Sequence, residues 1–204
     1  MNWFKTEDDP LAEDFVKEIR ATIPWLLAAA VVVAGYYGVK NYMAARRAAA
    51  SEALVNAYTA EELEEAVTKF GGSDAGGALK LRLAKKYYDA GRYQEALDQY
   101  TALSGDKAPD GFADIPEVGK AQCQEALGSY AEALAAYEAF AEANPSSYLA
   151  LTAKLGSARV LALSGDKEKA LHRLAEIKES VKGDAVSEAR VDATEDCIKR
   201  PVAK

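Results

Sequence analysis

Few residues of this 204-residue sequence are of types that carry out chemistry. One histidine and two cysteines disfavour a histidine-based catalytic triad and a four-ligand zinc site. The histidine, His172, lies in a segment with helical periodicity, where we expect it to be exposed and not catalytic. No combination of nucleophile, base and orienting group is recognisable, so we predict that the protein is not an enzyme.

The cysteines and one acidic run leave alternatives open. Cys123 and Cys197 can form a disulfide if this part of the chain lies in an oxidising compartment, or remain two unpaired helical thiols. Residues 61–65 include four glutamates, which suit either a metal site or, more ordinarily, the positive end of a helix dipole. The glycines between residues 71 and 77 match no phosphate-binding motif. We therefore predict no metal site and no cofactor.

Composition and charge exclude several partners. Half of the residues are apolar and 28% are charged, so the chain is not mainly disordered. The net charge is −7, and no Lys/Arg cluster with interleaved aromatic residues occurs, which argues against nucleic acid as a partner. We also expect no small-molecule substrate.

One uncharged segment near the N-terminus predicts a membrane anchor. Residues 21–39 lack charged side chains and, as a helix rising about 1.5 Å per residue, would cover roughly 28 Å, close to a bilayer's hydrocarbon thickness of about 30 Å. Trp25 lies near one end and Tyr36, Tyr37 and Tyr42 near the other, as in an aromatic belt. A cleaved signal peptide is disfavoured by the net acidic residues 1–22, and a buried core helix is the third alternative.

The anchor carries two weaker signals. Ala30, Ala34 and Gly38 form a stripe of small residues, which suits a close contact with another membrane helix or reflects ordinary composition. Basic residues flank both ends equally, so charge does not decide the orientation. Upstream, Asp9 and Pro10 resemble a helix start, and the helix that follows either lies on the membrane surface or extends the anchor.

Internal repetition is the strongest signal in the sequence. Gly91, Gly128 and Gly165 are each 37 residues apart, and an Ala-Leu pair follows each of them five residues later. Each glycine is expected to end one helix in a left-handed turn, and the apolar positions on both sides have helical spacing. Large side chains recur in register and are expected to face the neighbouring repeat; they are Tyr100, Tyr137 and Leu174.

These positions resemble the tetratricopeptide repeat. The middle repeat meets the tetratricopeptide pattern best, with Ala121, Gly128, Ala133, Tyr137 and Pro145, whereas the third repeat departs from it. The resemblance implies an all-α fold, in which a single N-terminal transmembrane helix precedes a tetratricopeptide-like α-solenoid of about three to four helical hairpins. The predicted segments are a tail at 1–22 with an amphipathic helix, the transmembrane anchor at 23–43, the repeat domain at 44–183, and a capping helix and tail at 184–204.

The last predicted segment should cover the end of the stack. Helical spacing predicts that the capping helix turns Val186, Ala189, Ala193 and Cys197 inward. A polar outer face would then meet solvent.

The order of these parts is similar to that of the YfgM-like family, the membrane-anchored ancillary subunit of the bacterial Sec translocon. The resemblance implies a single-pass protein of the bacterial inner membrane with a cytoplasmic N-terminus and a periplasmic repeat domain. It also implies partners beside the translocation channel, namely exported proteins or periplasmic folding factors. A scaffold for another cell-envelope complex, in division or outer-membrane assembly, is the alternative.

In tetratricopeptide domains the first helix of each pair lines a concave groove. Carried onto this sequence, the resemblance assigns a protein-binding groove to Leu81, Lys85, Tyr88, Asp89, Gln122, Glu125 and Arg159. This set mixes apolar, basic and acidic side chains, so we expect a broad protein-binding surface. The alternative is that these side chains are merely solvated.

Overall fold

The computed structural model describes residues 10–73, 75–104, 108–109 and 111–200, with side chains from residue 18 onward. Within these ranges the chain forms helices and no β-strand. The helices are α1 Pro10–Asn56, α2 Ala60–Phe70, α3 Gly76–Asp89, α4 Tyr93–Ala102, α5 Asp114–Ala126, α6 Tyr130–Ala143, α7 Ala150–Leu163, α8 Lys167–Ser180 and α9 Ala185–Lys199. Two compact units divide the chain after Ala49.

The first unit contains most of α1. This helix is continuous from Pro10, so the predicted N-terminal helix extends the apolar segment and does not form a separate element; the predicted N-cap, Asp9, lies outside the described residues. In the described part of the chain, α1 alone is long and apolar enough to cross a membrane, by length and composition, and its apolar window is fully exposed. Ala30, Ala34 and Gly38 are exposed as well, and their helix contact stays a prediction.

The second unit is a series of short helices in which each of α2 to α8 packs against the next. Additional contacts join α5 to α7 and α7 to α9, so the first helices of successive pairs also touch. The longest connection between helices joins α4 to α5. The all-helical prediction is confirmed for the described residues.

The glycine turns form as predicted. Gly128 has φ +80°, and Gly91 and Gly165 share this left-handed conformation, which side chains with a Cβ atom adopt only with strain. After α5, the Ser129 amide donates to the Gln124 carbonyl oxygen at 2.9 Å, and the Gly128 amide donates to that of Glu125 at 3.1 Å. This pair of hydrogen bonds defines a Schellman motif, and the same pair recurs at the other two turns. The 37-residue spacing therefore reflects one repeated turn.

Aromatic rings connect successive pairs. A Cβ atom added to Gly156 on α7 would lie 2.6 Å from the Tyr137 ring of α6, and one added to Gly119 on α5 would lie 2.8 Å from the Tyr100 ring of α4. Tyr100 and Tyr137 thus face the next pair, as predicted. The two glycines, also 37 residues apart, were not recognised in the repeat analysis, although their spacing is a signal that could have revealed them.

The core of the second unit forms three clusters along the stack. The recurring alanines are fully buried; they are Ala84, Ala96, Ala121, Ala133, Ala158 and Ala170. Leu174 is buried with Leu155 and Val191, so the third repeat packs on α9. The alanine pattern therefore marked the helix interfaces correctly.

The predicted inward face of α9 is wrong. Val186, Ala189, Ala193 and Cys197 are all exposed, and Val191 is the buried residue instead. Apolar packing explains this rotation, because Val191 joins the buried cluster of Leu155 and Leu174. On either side of Val191, Arg190 donates to Thr152 Oγ1 on α7 at 2.8 Å and Asp192 pairs with Lys178 of α8. The helix therefore presents the face between these polar contacts, whereas its alanines and Cys197 point outward.

Candidate protein-binding groove

The predicted groove residues lie on three helices that belong to successive pairs. Leu81, Lys85, Tyr88 and Asp89 are on α3, Gln122 and Glu125 on α5, and Arg159 on α7. The structure brings Glu125 and Arg159 together, and it pairs Lys85 with Asp89. Gln122 is half-buried. Binding at these residues stays a prediction.

Glu125 and Arg159 form the best-defined contact of the set. Arg159 Nη2 donates to Glu125 Oε2 at 2.7 Å, and Arg159 Nε donates to Glu125 Oε1. The buried Tyr137 hydroxyl donates to Glu125 Oε2 at 2.9 Å. The hydrogen bond to the carboxylate raises the pKa of Arg159, so the guanidinium stays charged. Both predicted groove residues therefore contribute to the fold. The Nε and Nη2 donors of Arg159 already bond Glu125 and are not available to a ligand.

Tyr88 lies near this pair and is half-buried. Its ring meets that of Tyr93 edge to face, with 5.3 Å between centroids. Burial is the main cause that raises the pKa of Tyr88, and the nearby negative charge of Glu125 is the second. The side chain therefore remains a neutral, polar-tipped aromatic surface at physiological pH.

Lys85 and Asp89 form an exposed pair one helical turn apart. Lys85 Nζ lies 2.5 Å and 2.7 Å from the two carboxylate oxygens of Asp89, and the side chains are 67% and 51% exposed. Exposed pairs of this kind contribute about 0.3–0.5 kcal/mol to stability. Breaking this ion pair therefore costs little free energy, so each of the two charges is available to pair with a ligand.

An open apolar pocket of about 400 Å³ lies beside Leu81 and Lys85. Its lining comes from the end of α1, from α3, α4 and α5, and from the loop before α5: Leu54, Ala78, Leu81, Arg82, Lys85, Tyr100, Pro109, Phe112 and Ile115. Phe112 is 49% exposed, although its ring is large and apolar. Sequence reasoning missed Leu54, Arg82 and Phe112, and a lone phenylalanine in a Gly/Pro/Asp-rich loop was the available signal.

Arg82 is the second cation of this pocket. Its Nη1 donates to the carbonyl oxygen of Leu54, which is a neutral acceptor. Among the residues described in the structure, no carboxylate forms an ion pair with Arg82. The guanidinium therefore brings a positive charge to an apolar surface.

None of the residues considered for chemistry belongs to the lining of the pocket, although Cys123 packs in the same core cluster as Tyr100. His172 is exposed, as predicted, and its Nδ1 lies 3.6 Å from Glu176 Oε1. Cys123 is buried, Cys197 is exposed, and both are free thiols. In the described ranges, no group of three or more His, Cys, Asp or Glu side chains could hold a metal ion. In the acidic run, Glu62 forms a capping box with Thr59 at the start of α2.

Alkaline pH should destabilise the second unit. Burial, together with a hydrogen bond to Glu64, raises the pKa of Tyr87 to about 12; burial raises the pKa of Tyr100 to about 12 and that of Cys123 to about 11. Because the unfolded chain loses these protons first, near pH 9 to 10, the free energy of unfolding should fall from about pH 9 to pH 12. Denaturant unfolding followed by circular dichroism at several pH values measures this fall.

The matched variant for this prediction is Tyr100→Phe, which removes one titrating hydroxyl. Its free energy of unfolding should decline less steeply than that of the unaltered protein above pH 10. A constant free energy of unfolding between pH 8 and pH 11.5 would contradict the prediction.

No family model matches this chain, and no curated protein or solved structure shows significant similarity to it.

Proposed function

We propose that this chain is a single-pass membrane protein whose helical pairs form a tetratricopeptide-like α-solenoid that binds other proteins. The observation that carries this proposal is the open apolar pocket at Leu81 and Lys85, which belong to the predicted groove. Exposed apolar surface of this kind marks interaction sites in soluble domains. The protein acts as an adaptor and not as an enzyme.

The solenoid is supported by the way one pair follows another. Tyr100 packs on Gly119 and Tyr137 packs on Gly156, so two consecutive interfaces use the same contact at the same spacing. The contacts of α5 with α7 and of α7 with α9 fit a stack in which the first helices of each pair lie side by side. Such stacking leaves these first helices available for a partner.

The anchor is supported by the length, composition and full exposure of the apolar window in α1. Anchoring raises the effective concentration of the binding surface near membrane-bound partners. If α1 anchors the chain, the full-length protein should stay in the membrane pellet after carbonate washing. Quantitative release would contradict the anchor without bearing on the pocket.

The proposed partners follow from the resemblance to the YfgM-like family. They are the Sec translocon of the bacterial inner membrane together with exported proteins or periplasmic folding factors, with the repeat domain in the periplasm and the N-terminus in the cytoplasm. The alternative is a scaffold for a division or outer-membrane assembly complex. These two roles differ in the identity of the neighbours.

Photocrosslinking in intact bacterial membranes tests the function. A photoreactive phenylalanine analogue replaces Phe112 in the full-length chain, and the same analogue at Tyr148, which is 64% exposed, is the matched control. We expect an adduct from position 112 that is absent at position 148, and mass spectrometry identifies it. Translocon subunits or exported proteins would support the export role, whereas division or outer-membrane assembly proteins would support the alternative.

The same crosslinking experiment can also reject a binding role for the pocket. Equal adducts at both positions, or none at position 112, would contradict a binding role for this surface. A charge reversal at Lys85 is the suitable second variant, because the like charge that it would place beside Asp89 is largely exposed. Reversal at Arg159 would instead place a like charge beside the mostly buried Glu125 carboxylate and perturb the fold.

A further inference from the structure

We propose that the apolar pocket binds a bulky apolar side chain of an extended polypeptide segment that carries an acidic side chain one or two residues away. This inference rests on the proposed function and specifies the ligand class of its site. The shape and the charge of the pocket are separate observations that support it.

The shape of the pocket fits one or two large side chains. Its volume of about 400 Å³ is at the small end of the range for ligand sites, about 300–1,000 Å³. Tyr100 is almost fully buried in the wall, whereas Phe112 stays half-exposed. Because the pocket is open to solvent, a ligand would keep one side in water. A side chain with its backbone outside suits such a site better than a lipid chain, which needs enclosure over most of its surface.

The charge of the pocket differs from that of the surrounding protein. The whole chain has a net charge of −7, and three other clefts of the second unit combine glutamates with cations: Glu62 and Glu65 with Lys69, Glu117 with Lys120, and Glu138, Glu142 and Glu176 with Lys154 and Arg173. Among the residues that the structure describes, the lining of the apolar pocket includes Arg82 and Lys85 and no carboxylate. A partner with an acidic group is therefore complementary here, whereas the linings of the other three clefts are balanced in charge or carry an excess of one carboxylate.

The two cations suit a single carboxylate. Arg82 already donates from Nη1 to the Leu54 carbonyl oxygen, and Lys85 is shared with Asp89. The remaining donors can meet one aspartate or glutamate side chain but do not form the dense basic clamp that a terminal carboxylate requires. We therefore assign the acidic group to a side chain within the bound segment.

Peptide binding to the full-length protein in nanodiscs tests this assignment. Three dye-labelled nine-residue Gly/Ser peptides carry a tryptophan next to an aspartate, a tryptophan next to an asparagine, or an alanine next to an aspartate. We expect the first peptide to bind most tightly by fluorescence anisotropy. Replacing the aspartate should weaken binding about 3- to 5-fold, and replacing the tryptophan should weaken it about 10-fold.

Protein variants locate the effect at the pocket. Arg82→Gln should remove the preference for aspartate over asparagine, and its control is Arg190→Gln, because Arg190 also donates to a neutral oxygen, Thr152 Oγ1. Phe112→Ala should weaken both tryptophan peptides, and its control is Tyr148→Ala, which removes an exposed aromatic ring elsewhere. The controls should bind like the unaltered protein.

Several outcomes would overturn the inference. Equal affinity for the aspartate and asparagine peptides would remove the charge preference, and unchanged affinity in Phe112→Ala would remove the pocket. If a fluorescent fatty acid displaced the peptide and lost affinity in both pocket variants, the site would be a lipid site. Crosslinks at position 112 without peptide discrimination would leave the proposed function intact and reject the inference alone, whereas the absence of both would reject both.

Discussion

Replacing Gly156 with valine should lower the free energy of unfolding by about 3 kcal/mol. A Cβ atom at this position would lie 2.6 Å from Cζ of Tyr137 and 2.7 Å from its Cε1, which is closer than carbon atoms can approach. The ring cannot move away, because Tyr137 is fully buried and its hydroxyl is bonded to Glu125. Overpacking of a filled core costs about 1–3 kcal/mol, and a β-branched side chain lies at the upper end. Denaturant unfolding followed by circular dichroism at 222 nm gives the value.

A double-mutant cycle assigns this loss to the ring. In the Tyr137→Leu background the valine should cost about 2 kcal/mol less than in the unaltered protein, because the smaller side chain leaves room. The control is Gly72→Ala, since an added Cβ atom there meets no atom within 4 Å and should change stability by less than about 0.5 kcal/mol. An equal cost of the valine in both backgrounds would mean that the ring contact does not limit residue 156.

Replacing Glu125 with alanine should lower the free energy of unfolding by about 3 kcal/mol. The substitution removes the acceptor of the buried Tyr137 hydroxyl and the partner of the Arg159 guanidinium. An unsatisfied buried hydroxyl costs about 1–3 kcal/mol. The loss of the ion pair adds less than in a fully buried pair, because the Arg159 side chain is 38% exposed while that of Glu125 is 12% exposed. The same unfolding measurement applies.

The exposed groove pair supplies the matched control for this second prediction. Asp89→Ala removes a carboxylate from Lys85 and should cost less than about 0.5 kcal/mol, since both side chains are largely exposed. A conservative variant, Glu125→Gln, keeps an oxygen for Tyr137 and should cost about 1 kcal/mol. Equal losses for Glu125→Ala and Asp89→Ala would mean that the Glu125 contacts contribute no more than a surface pair.

These expectations separate the predicted groove residues into two groups. Glu125 and Arg159 hold α5 to α7, so their substitution affects binding through stability. Leu81 and Lys85 line the apolar pocket, and Lys85 is exposed. Binding experiments on this protein are therefore clearer with variants of Lys85, Arg82 and Phe112 than with variants of the buried network.

Local signals in the sequence predicted the elements well. The glycines at 91, 128 and 165 located three turns, because a left-handed backbone conformation is a requirement of a single residue and needs no knowledge of distant contacts. The recurring alanines located the helix interfaces, and the uncharged segment located the apolar helix, for the same reason of local periodicity.

Long-range packing decided the remaining features. The inward face of α9 follows from the surface that α7 and α8 offer, so Val191 is buried where the alanines of the helix had suggested another face.

The pocket joins Leu54, Arg82 and Phe112, which span residues 54 to 112 of the chain and share no pattern. By itself the sequence determined the helices, their turns and their repeat, because these depend on neighbours along the chain. The tertiary structure alone decided which charges are paired and which apolar side chains stay open, because both depend on residues that meet only after folding.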